Sequence, residues 1–540
     1  MLRPPDGKSP ALALAHYAFT AFAIAVAWWW LGAPVQLPPS PFAADGKLYC
    51  VSYAPFRGSQ DPLVEGTRVS AAEIDADLAL LSHYTNCIRT YSVDDVRGDA
   101  LQSARRYGLK VLYGVWVSGD AAKTRAQIAA TVALAKEFPD VIQAVVVGNE
   151  VLLRGEMTAA DLIGYIRQVK SQVSMPVTYA DVWEFWLRFP DVHNAVDFVT
   201  IHILPYWEDF PIAATQAAAH VDAIRKKVAE AFPNKEIVIG EFGWPSGGRM
   251  REGARPSPSN QARAIEETLA LAQRENFRLN VIEAFDQPWK RQLEGATGGY
   301  WGIIDRATGQ PKFSFGGNVS DHPHWLMQAI VGIALETLIF AAARLGGRGK
   351  DAPRSLWPRI AALAFLPAVL FGWTIETVPI DSFGVGGWLR LLAFAAVAAA
   401  APIACAAACA AGRRPPSFAA LLARTAEARD GLNIALGGSL IALTLLSVET
   451  ALGLVFDPRY RDIPFAPQSA GVVAFLVLMI STERAGGARA VAETLAATVV
   501  AVSAVYIAFN ETFANWQAIW LCTGLVGLAV ILAQARVAPD

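Results

Sequence analysis

The placement of long apolar runs constrains this chain more than any other feature. A bilayer core about 30 Å thick needs roughly 20 apolar residues in a helix, and the first such run, LALAHYAFTAFAIAVAWWWLGA, lies near residues 12 to 33. It is longer than a signal-peptide core and no small-residue cleavage site follows it directly, so it reads as an uncleaved anchor. From residue 34 to about 324 no run of that length recurs. From Trp325 onward seven more follow, near 325 to 343, 357 to 375, 388 to 411, 432 to 456, 465 to 482, 490 to 509 and 515 to 533. The chain therefore divides into an N-terminal transmembrane anchor (1–33), a soluble domain (34–324) and a seven-helix transmembrane domain (325–540).

Orientation follows from basic residues in short loops, which are retained on the cytoplasmic side. With the N-terminus inside, that side holds Arg3, Lys8, Arg344, Arg348, Lys350, Arg354, Arg359, Arg413, Arg414, Arg424, Arg429, Arg484, Arg489 and Arg536, against Arg459 and Arg461 opposite. Arg390, one turn inside its helix, counts for neither. The soluble region is expected outside, which for a bacterial inner membrane is the periplasm. Composition removes other classes. With 46 Lys+Arg against 48 Asp+Glu there is no positive excess for a phosphate backbone, so nucleic acid is not an expected partner. Sixteen Trp, 26 Phe and 13 Tyr exclude disorder, and five Cys exclude a disulfide-dense scaffold.

Residues 45 to 320 alternate short β runs with helical stretches. The strands are LYCVSYAP (48–55), CIRTY (87–91), KVLYGVWV (110–117), IQAVVVGN (142–149), VTYADV (177–182), FVTIHI (198–203), EIVIGEF (236–242) and NVIEAFD (280–286). AAEIDADLALLSHY, AAKTRAQIAATVALAKEF and SNQARAIEETLALAQREN show the three- and four-residue apolar spacing of helices. Eight such units predict an α/β fold, a TIM (β/α)8 barrel, followed by an all-α polytopic membrane domain. A doubly wound sheet competes, but SYAPFRGSQDP after the first strand lacks the G-x-G-x-x-G turn. Cys50 and Cys87 fall near the starts of adjacent strands. A bridge between neighbouring parallel strands is geometrically awkward, and the reading leans against one.

In a barrel of this kind the chemistry lies at the C-terminal ends of the strands. Asn149 and Glu150 end the fourth strand and Glu241 ends the seventh, each after an apolar β run (VVVGNE, IVIGEF), so both carboxylates face one mouth. Glycoside chemistry needs such a pair, one protonated to assist the leaving oxygen and one ionised to meet the oxocarbenium ion. The seven histidines are scattered without metal-ligand spacing, and no P-loop or G-x-S-x-G occurs, so no metal or cofactor is expected. Tyr53, Phe56, Tyr91, Trp116, Trp183, Tyr206, Trp207, Trp244, Phe285, Trp289, Tyr300 and Trp301 fall at or just after strand ends, with polar Arg89, Asp94 and Lys290 among them. Together they suggest a sugar-lined groove.

SYAPF, GNE, PYW, GEFGWPS and EAFDQPWK at successive strands resemble glycoside hydrolase family 17, the β-1,3-glucanases and β-1,3-glucanosyltransferases, over roughly residues 47 to 317. The resemblance implies a retaining mechanism with Glu150 as general acid/base and Glu241 as nucleophile. It also implies that Asn149 bonds the sugar 2-hydroxyl, that Tyr206 lies near the nucleophile, and that Glu283 and Lys290 form a polar pair supporting the acid/base. Gln287 stands where many relatives carry a carboxylate. The expected substrate-binding set is Tyr53, Arg89, Tyr91, Asn149, Tyr206, Trp207, Trp244, Glu283, Trp289 and Lys290.

The membrane segments are similar to the bacterial membrane-bound branch associated with cyclic β-(1,3),(1,6)-glucan. The implied partners are a β-1,3-glucan donor, a glucan acceptor, the lipid bilayer and a membrane glucan synthase. Transfer is favoured over hydrolysis; a non-catalytic glucan-binding or translocation component is the rival from another class. Glu336 and Glu449, carboxylates inside apolar segments, are expected to face the bundle interior, and Cys405 and Cys409 to be small packing residues.

Overall fold

The structure, a computed structural model, describes residues 9–42, 46–347, 353–423, 429–483 and 486–537. Of the basic residues that orient the chain, Arg3, Lys8, Arg348, Lys350, Arg424 and Arg484 lie outside the described residues. The chain forms two compact units. One comprises Val35–Gly247 and Gly253–Val319; the other comprises Met1–Pro34, Gly248–Glu252 and Ser320–Asp540.

The first unit is a closed barrel of eight parallel strands in sequential order. They are β1 (Cys50–Ser52), β2 (Cys87–Arg89), β3 (Lys110–Val115), β4 (Ile142–Asn149), β5 (Val177–Val182), β6 (Val199–His202), β7 (Ile237–Phe242) and β8 (Leu279–Val281). A helix follows each strand: Ala71–Leu81, Asp99–Tyr107, Ala121–Glu137, Ala159–Lys170, Trp183–Arg188, Ala217–Ala231, Pro258–Arg274 and Arg291–Gly298. The expected (β/α)8 architecture is therefore present. Local chemistry starts several of these helices. Ser70 and Glu73 form a reciprocal capping box, Asp120 accepts from Ala122 N and Lys123 N, and Ser257 caps the helix that Pro258 opens.

Side-chain alternation sorts each strand between two environments. Val145 and Val147 of β4 join Ile128, Leu162 and Ile166 in the layer between strands and helices. Ala144 and Val146 instead meet Cys50, Cys87, Leu112, Ala180 and Val238, a cluster drawn from strands alone, which is the barrel interior. The register pairs Val51 with Ile88, so Cys50 lies opposite Cys87. The two form a disulfide with Cα atoms 4.3 Å apart. The sequence reading leaned against this bridge; both sulfurs point inward from facing positions on neighbouring strands, which makes it accessible.

In the second unit, among the described residues, seven helices are long and apolar enough to cross a membrane: Ala11–Leu31, Trp325–Gly346, Leu356–Asp381, Gly384–Ala411, Gly431–Phe456, Val491–Asn510 and Trp516–Ala533. The expected eighth, Phe465–Ser481, has 17 residues and falls short of the others. Its residues Phe465 to Val472 are all buried, so it is an inner helix of the bundle. Small residues allow close packing there: a Cβ on Gly332 would meet Ala368 O at 2.8 Å, and one on Gly372 would meet Gln328 O at 2.8 Å.

The two intramembrane carboxylates diverge. Glu336 is buried and accepts the Thr20 hydroxyl, while its Oε2 is buried without a hydrogen-bond partner among the described residues. Glu449, expected to face the bundle interior, has a side chain 48% exposed and lies 3.5 Å from Arg390 Nη1. The apolar run locates the helix along the chain, but a uniformly apolar helix carries no signal for which face turns inward. Cys405 is buried and Cys409 half-buried, both as free thiols.

Candidate active site

The mouth of the barrel is organised around Arg89, the last residue of β2, whose side chain is 1% exposed. Its Nη1 donates to Glu241 Oε1 at 2.5 Å and to Gly240 O at 3.0 Å; its Nη2 donates to Asn149 Oδ1 at 2.6 Å. One guanidinium thus ties β2 to β4 and β7. Tyr91 donates its hydroxyl to Glu241 Oε1 at 2.8 Å and lies 2.9 Å from Ser52 Oγ, with Arg89 over its ring at 4.7 Å.

Two effects compete at Glu241. Burial pushes its carboxyl up, but His202, Arg89 and Lys290 and the Tyr91 hydrogen bond outweigh burial and hold it at about 2. The group is ionised, buried and hydrogen-bonded, which fixes the direction of its lone pairs.

Glu150 stands just past β4, where Gly148 has φ +89° and Glu150 itself φ +53°. The left-handed conformation is costly for a non-glycine residue, by about 1–2 kcal/mol, and recurs where function demands it. Here Glu150 N donates to Ala180 O at 2.8 Å, which holds the turn. The side chain is 24% exposed and one oxygen lies 2.9 Å from His202 Nδ1. One atom each from Glu150, His202 and Glu241 lie within 4.8 Å of one another, so the two carboxylates face each other across the imidazole. That trio is close enough to share a metal ion, but the Arg89 guanidinium on Glu241 places a positive charge where a cation would have to sit.

Glu283 is buried, and Lys290 Nζ donates to its Oε2 at 3.0 Å. Burial raises Glu283 to about 7 even against Lys290. Glu294, one helical turn beyond Lys290, is also raised to about 7 by burial, opposed by Lys290 and reinforced by Glu150 and Glu241. Gln287 donates to Ala54 O at 3.1 Å and accepts Trp289 Nε1 at 2.9 Å, so the amide positions that indole.

The residues singled out in the sequence separate into three groups. Arg89, Tyr91, Asn149, Glu150 and Glu241 meet in one cluster, with the Glu283–Lys290 pair close enough for Lys290 to act on Glu241. Trp207 and Trp289 are half-buried; Trp207 stacks on Trp301 with ring centres 6.5 Å apart. Tyr53, Tyr206 and Trp244 are buried. Tyr53 donates to Asp77 at 3.0 Å, Tyr206 Oη lies 3.2 Å from Thr297 Oγ1, and Trp244 donates to Arg255 O at 3.0 Å. The hydroxyl on Glu241 is that of Tyr91, whereas Tyr206 sits in a ring cluster with Trp207, Trp244 and Trp301.

The aromatic set divides the same way: Phe56, Phe285 and Trp301 are core, while Trp116, Trp183 and Tyr300 are half-buried. His202, which bridges the carboxylates, was missed in the sequence. As a polar residue closing an apolar run (VTIH), it carries the same signal that singled out Glu150 and Glu241. Glu294, on a helix and not at a strand end, carries no such signal.

Comparison with known proteins meets the kinship expected from the motifs. Residues 50–302 match the family model of the BtgE/BtgC glycoside hydrolase domain. The Aspergillus niger protein btgC, by name a glucan endo-1,3-beta-glucosidase, is 28% identical over 288 residues, 48% of this chain and 42% of that protein. The glucan 1,3-beta-glucosidase of Arthroderma benhamiae is 26% identical over 272 residues, 46% of this chain and 86% of its own. The chain thus spans less than half the length of the first and most of the second. The crystal structure of a glycoside hydrolase family 17 β-1,3-glucanosyltransferase from Rhizomucor miehei superposes with a TM-score of 0.44 at 24% identity, covering 50% of this chain and 97% of that one.

Proposed function

We propose, from the match of residues 50–302 to the BtgE/BtgC glycoside hydrolase domain, that the barrel cleaves β-1,3-glucan with retention and transfers the fragment to another glucan. The observation that carries this reading is the contrast between the two facing carboxylates. Glu241 is ionised and held by Arg89 and Tyr91; Glu150, within 4.8 Å, is partly exposed and touches His202. Retaining enzymes set their carboxyls about 5 to 5.5 Å apart, close enough for direct attack and too close for an intervening water.

In this mechanism Glu241 attacks the anomeric carbon while Glu150 gives its proton to the departing glycosidic oxygen, leaving a glycosyl ester on Glu241. Glu150, now a carboxylate, takes the proton of an incoming sugar hydroxyl, whose oxygen displaces Glu241. Asn149, held by Arg89, is assigned the 2-hydroxyl, and Trp207 and Trp289 are the rings assigned to sugar faces. Hydrolysis is the second reading, supported by the glucosidase names of the relatives; water then replaces the incoming hydroxyl.

The working domain is taken as residues 34–324, on the periplasmic side of a bacterial inner membrane. The asymmetry of loop arginines and lysines supports that side, as does the Cys50–Cys87 disulfide, since such bonds persist in oxidising compartments. Seven helices long and apolar enough to span, among the described residues, exceed the single span a tether needs, and a glucan synthase in the same membrane is the partner assigned to them.

The test is incubation of the full chain with linear β-1,3-gluco-oligosaccharides, with mass spectrometry and linkage NMR of the products and Glu241→Gln as control. Products longer than the donor, formed with retained configuration, are expected. Only shorter products would make the protein a hydrolase, and no turnover would sink the enzymatic reading.

A further inference from the structure

His202 touches the facing carboxylates, and the mechanism above leaves it idle. It closes β6 and is fully buried, and strand register sets it beside Val182 on β5 and Glu241 on β7. Its ring lies against Gly240, where a Cβ would come within 3.3 Å of Cδ2 and 3.4 Å of Nε2, so glycine makes room for the imidazole.

The hydrogens of Arg89 decide which ring nitrogen is the donor. The two terminal nitrogens of a guanidinium carry four hydrogens and accept none. Nη1 directs its pair to Gly240 O at 3.0 Å and Glu241 Oε1 at 2.5 Å. Nη2 gives one hydrogen to Asn149 Oδ1 at 2.6 Å, and the other faces His202 Nε2 at 3.3 Å. A neutral imidazole with its hydrogen on Nε2 would set donor against donor there, and Glu241 Oε1, 3.7 Å from Nε2, is too far to accept it. In each remaining state Nδ1 carries a hydrogen, and it donates to Glu150 Oε1 at 2.9 Å. Asp181, the other carboxyl beside the ring, is already engaged. Tyr179 Oη and Leu153 N donate to its Oδ2, and Val182 N donates to its Oδ1 at 2.8 Å.

The consequence falls on Glu150. Its Oε1 accepts from Nδ1 and is therefore not the oxygen that bears the carboxylic hydrogen. Its Oε2 takes no hydrogen bond among the described residues, in a side chain 24% exposed.

We propose that His202 is a positioning residue for the acid/base: its Nδ1–H ties back Glu150 Oε1 and leaves Oε2 to exchange the proton with the glucan. This rests on the catalytic role read for Glu150 above. In the first step Oε2 loses its hydrogen to the glycosidic oxygen as the bond from that oxygen to the anomeric carbon breaks and the bond to Glu241 forms. In the second, Oε2 receives the hydrogen of the incoming hydroxyl as the glycosyl ester breaks. Nδ1 keeps its hydrogen throughout, and its bond to Glu150 is strongest while that group is a carboxylate.

The test separates proton donation from the rest of the site by the leaving group. A placed acid contributes roughly 10²–10⁴-fold when the leaving oxygen needs a proton, whereas 2,4-dinitrophenolate departs without one. The full chain in lipid nanodiscs is given a linear β-1,3-gluco-oligosaccharide or the 2,4-dinitrophenyl glycoside of a β-1,3-linked disaccharide, and first-turnover cleavage is timed. His202→Gln puts an amide near Nε2 and removes the donor at Nδ1; His202→Asn puts an amide nitrogen near Nδ1. His202→Gln is expected to slow oligosaccharide cleavage by about 100-fold and dinitrophenolate release far less, lowering the ratio of the two rates at least about tenfold. His202→Asn should recover most of that ratio. Equal loss on both donors, no loss on the oligosaccharide, or an asparagine variant as unselective as the glutamine one overturns the proposal. If neither variant folds, nitrogen NMR of the unaltered chain with labelled histidine decides: a hydrogen on Nδ1 whose signal moves in Glu150→Gln supports the proposal, and a hydrogen on Nε2 alone overturns it. An unaltered chain that cleaves neither donor overturns the catalytic reading itself, and this role with it.

Discussion

The mouth of the barrel and the interior of the helical bundle both bury glutamates, but they surround them differently. Glu241 meets a guanidinium and a phenol, with an imidazole 3.7 Å away. Glu336 meets a threonine hydroxyl on one oxygen and, among the described residues, has no hydrogen-bond partner on the other. A buried carboxylate can carry its charge only where counter-charges replace the lost water. The barrel supplies them at the ends of its strands, where β2, β4, β6 and β7 converge. The bundle, built from apolar helices, offers Glu336 a neutral donor. The first arrangement suits a nucleophile and the second suits helix association, so burial alone does not mark a catalytic acid.

The sharpest way to break this comparison is Glu241→Gln, which keeps the shape and removes the charge. It should lower glucan turnover by about 10⁴-fold or more without unfolding the barrel, measured as initial rates on β-1,3-gluco-oligosaccharides. A residual rate near that of the unaltered chain would remove Glu241 from the chemistry.

Arg89→Met tests the counter-charge. Leaving Glu241 buried and unpaired should cost about 3–5 kcal/mol of barrel stability at neutral pH, read by amide exchange of the strands. The pH dependence of the unaltered barrel sharpens this. Glu241 is lowered to about 2, so its contribution is complete above the usual carboxylate value and is lost as pH falls toward 2. Glu283 and Glu294, raised to about 7, act oppositely: their contribution is complete at low pH and is lost as pH rises through 7. Stability from these groups should therefore peak in mildly acidic solution and fall on both sides, and a monotonic profile would contradict the assignment.

Next in size is the bridge. Replacing Cys50 and Cys87 by alanine, 37 residues apart, should cost about 2–4 kcal/mol by releasing the denatured chain. Comparison of the barrel's amide exchange with and without the bridge measures it. The smallest effect is expected at Glu449→Leu, where an exposed pair with Arg390 is removed and thermal stability in detergent should move by less than about 1 kcal/mol. A larger loss there than at Glu336→Leu would reverse the distinction between exposed and buried intramembrane carboxylates.

Much of the site was legible because strand periodicity and strand ends are local properties. VVVGNE and IVIGEF place a carboxylate after an apolar β run, and eight such units close a barrel whose chemistry lies at one rim. His202 follows the same rule, but a single histidine after an apolar run is also a common core residue. The aromatic residues were less legible. Trp207 and Trp244 both follow strands, yet one is half-buried on Trp301 and the other is core, a difference set by the neighbouring loops.

The amino-acid order by itself determined the division into a barrel and apolar helices, the number of strands and the strand ends bearing Asn149, Glu150 and Glu241. Each depends on hydrophobic periodicity within about twenty residues. Only the tertiary structure decided that Arg89 joins Asn149 to Glu241, that His202 lies between the carboxylates, that Cys50 meets Cys87, and that Glu336 is buried while Glu449 is exposed. These depend on barrel closure, strand register and helix rotation. All three arise from packing between segments far apart in the chain, which local pattern does not encode.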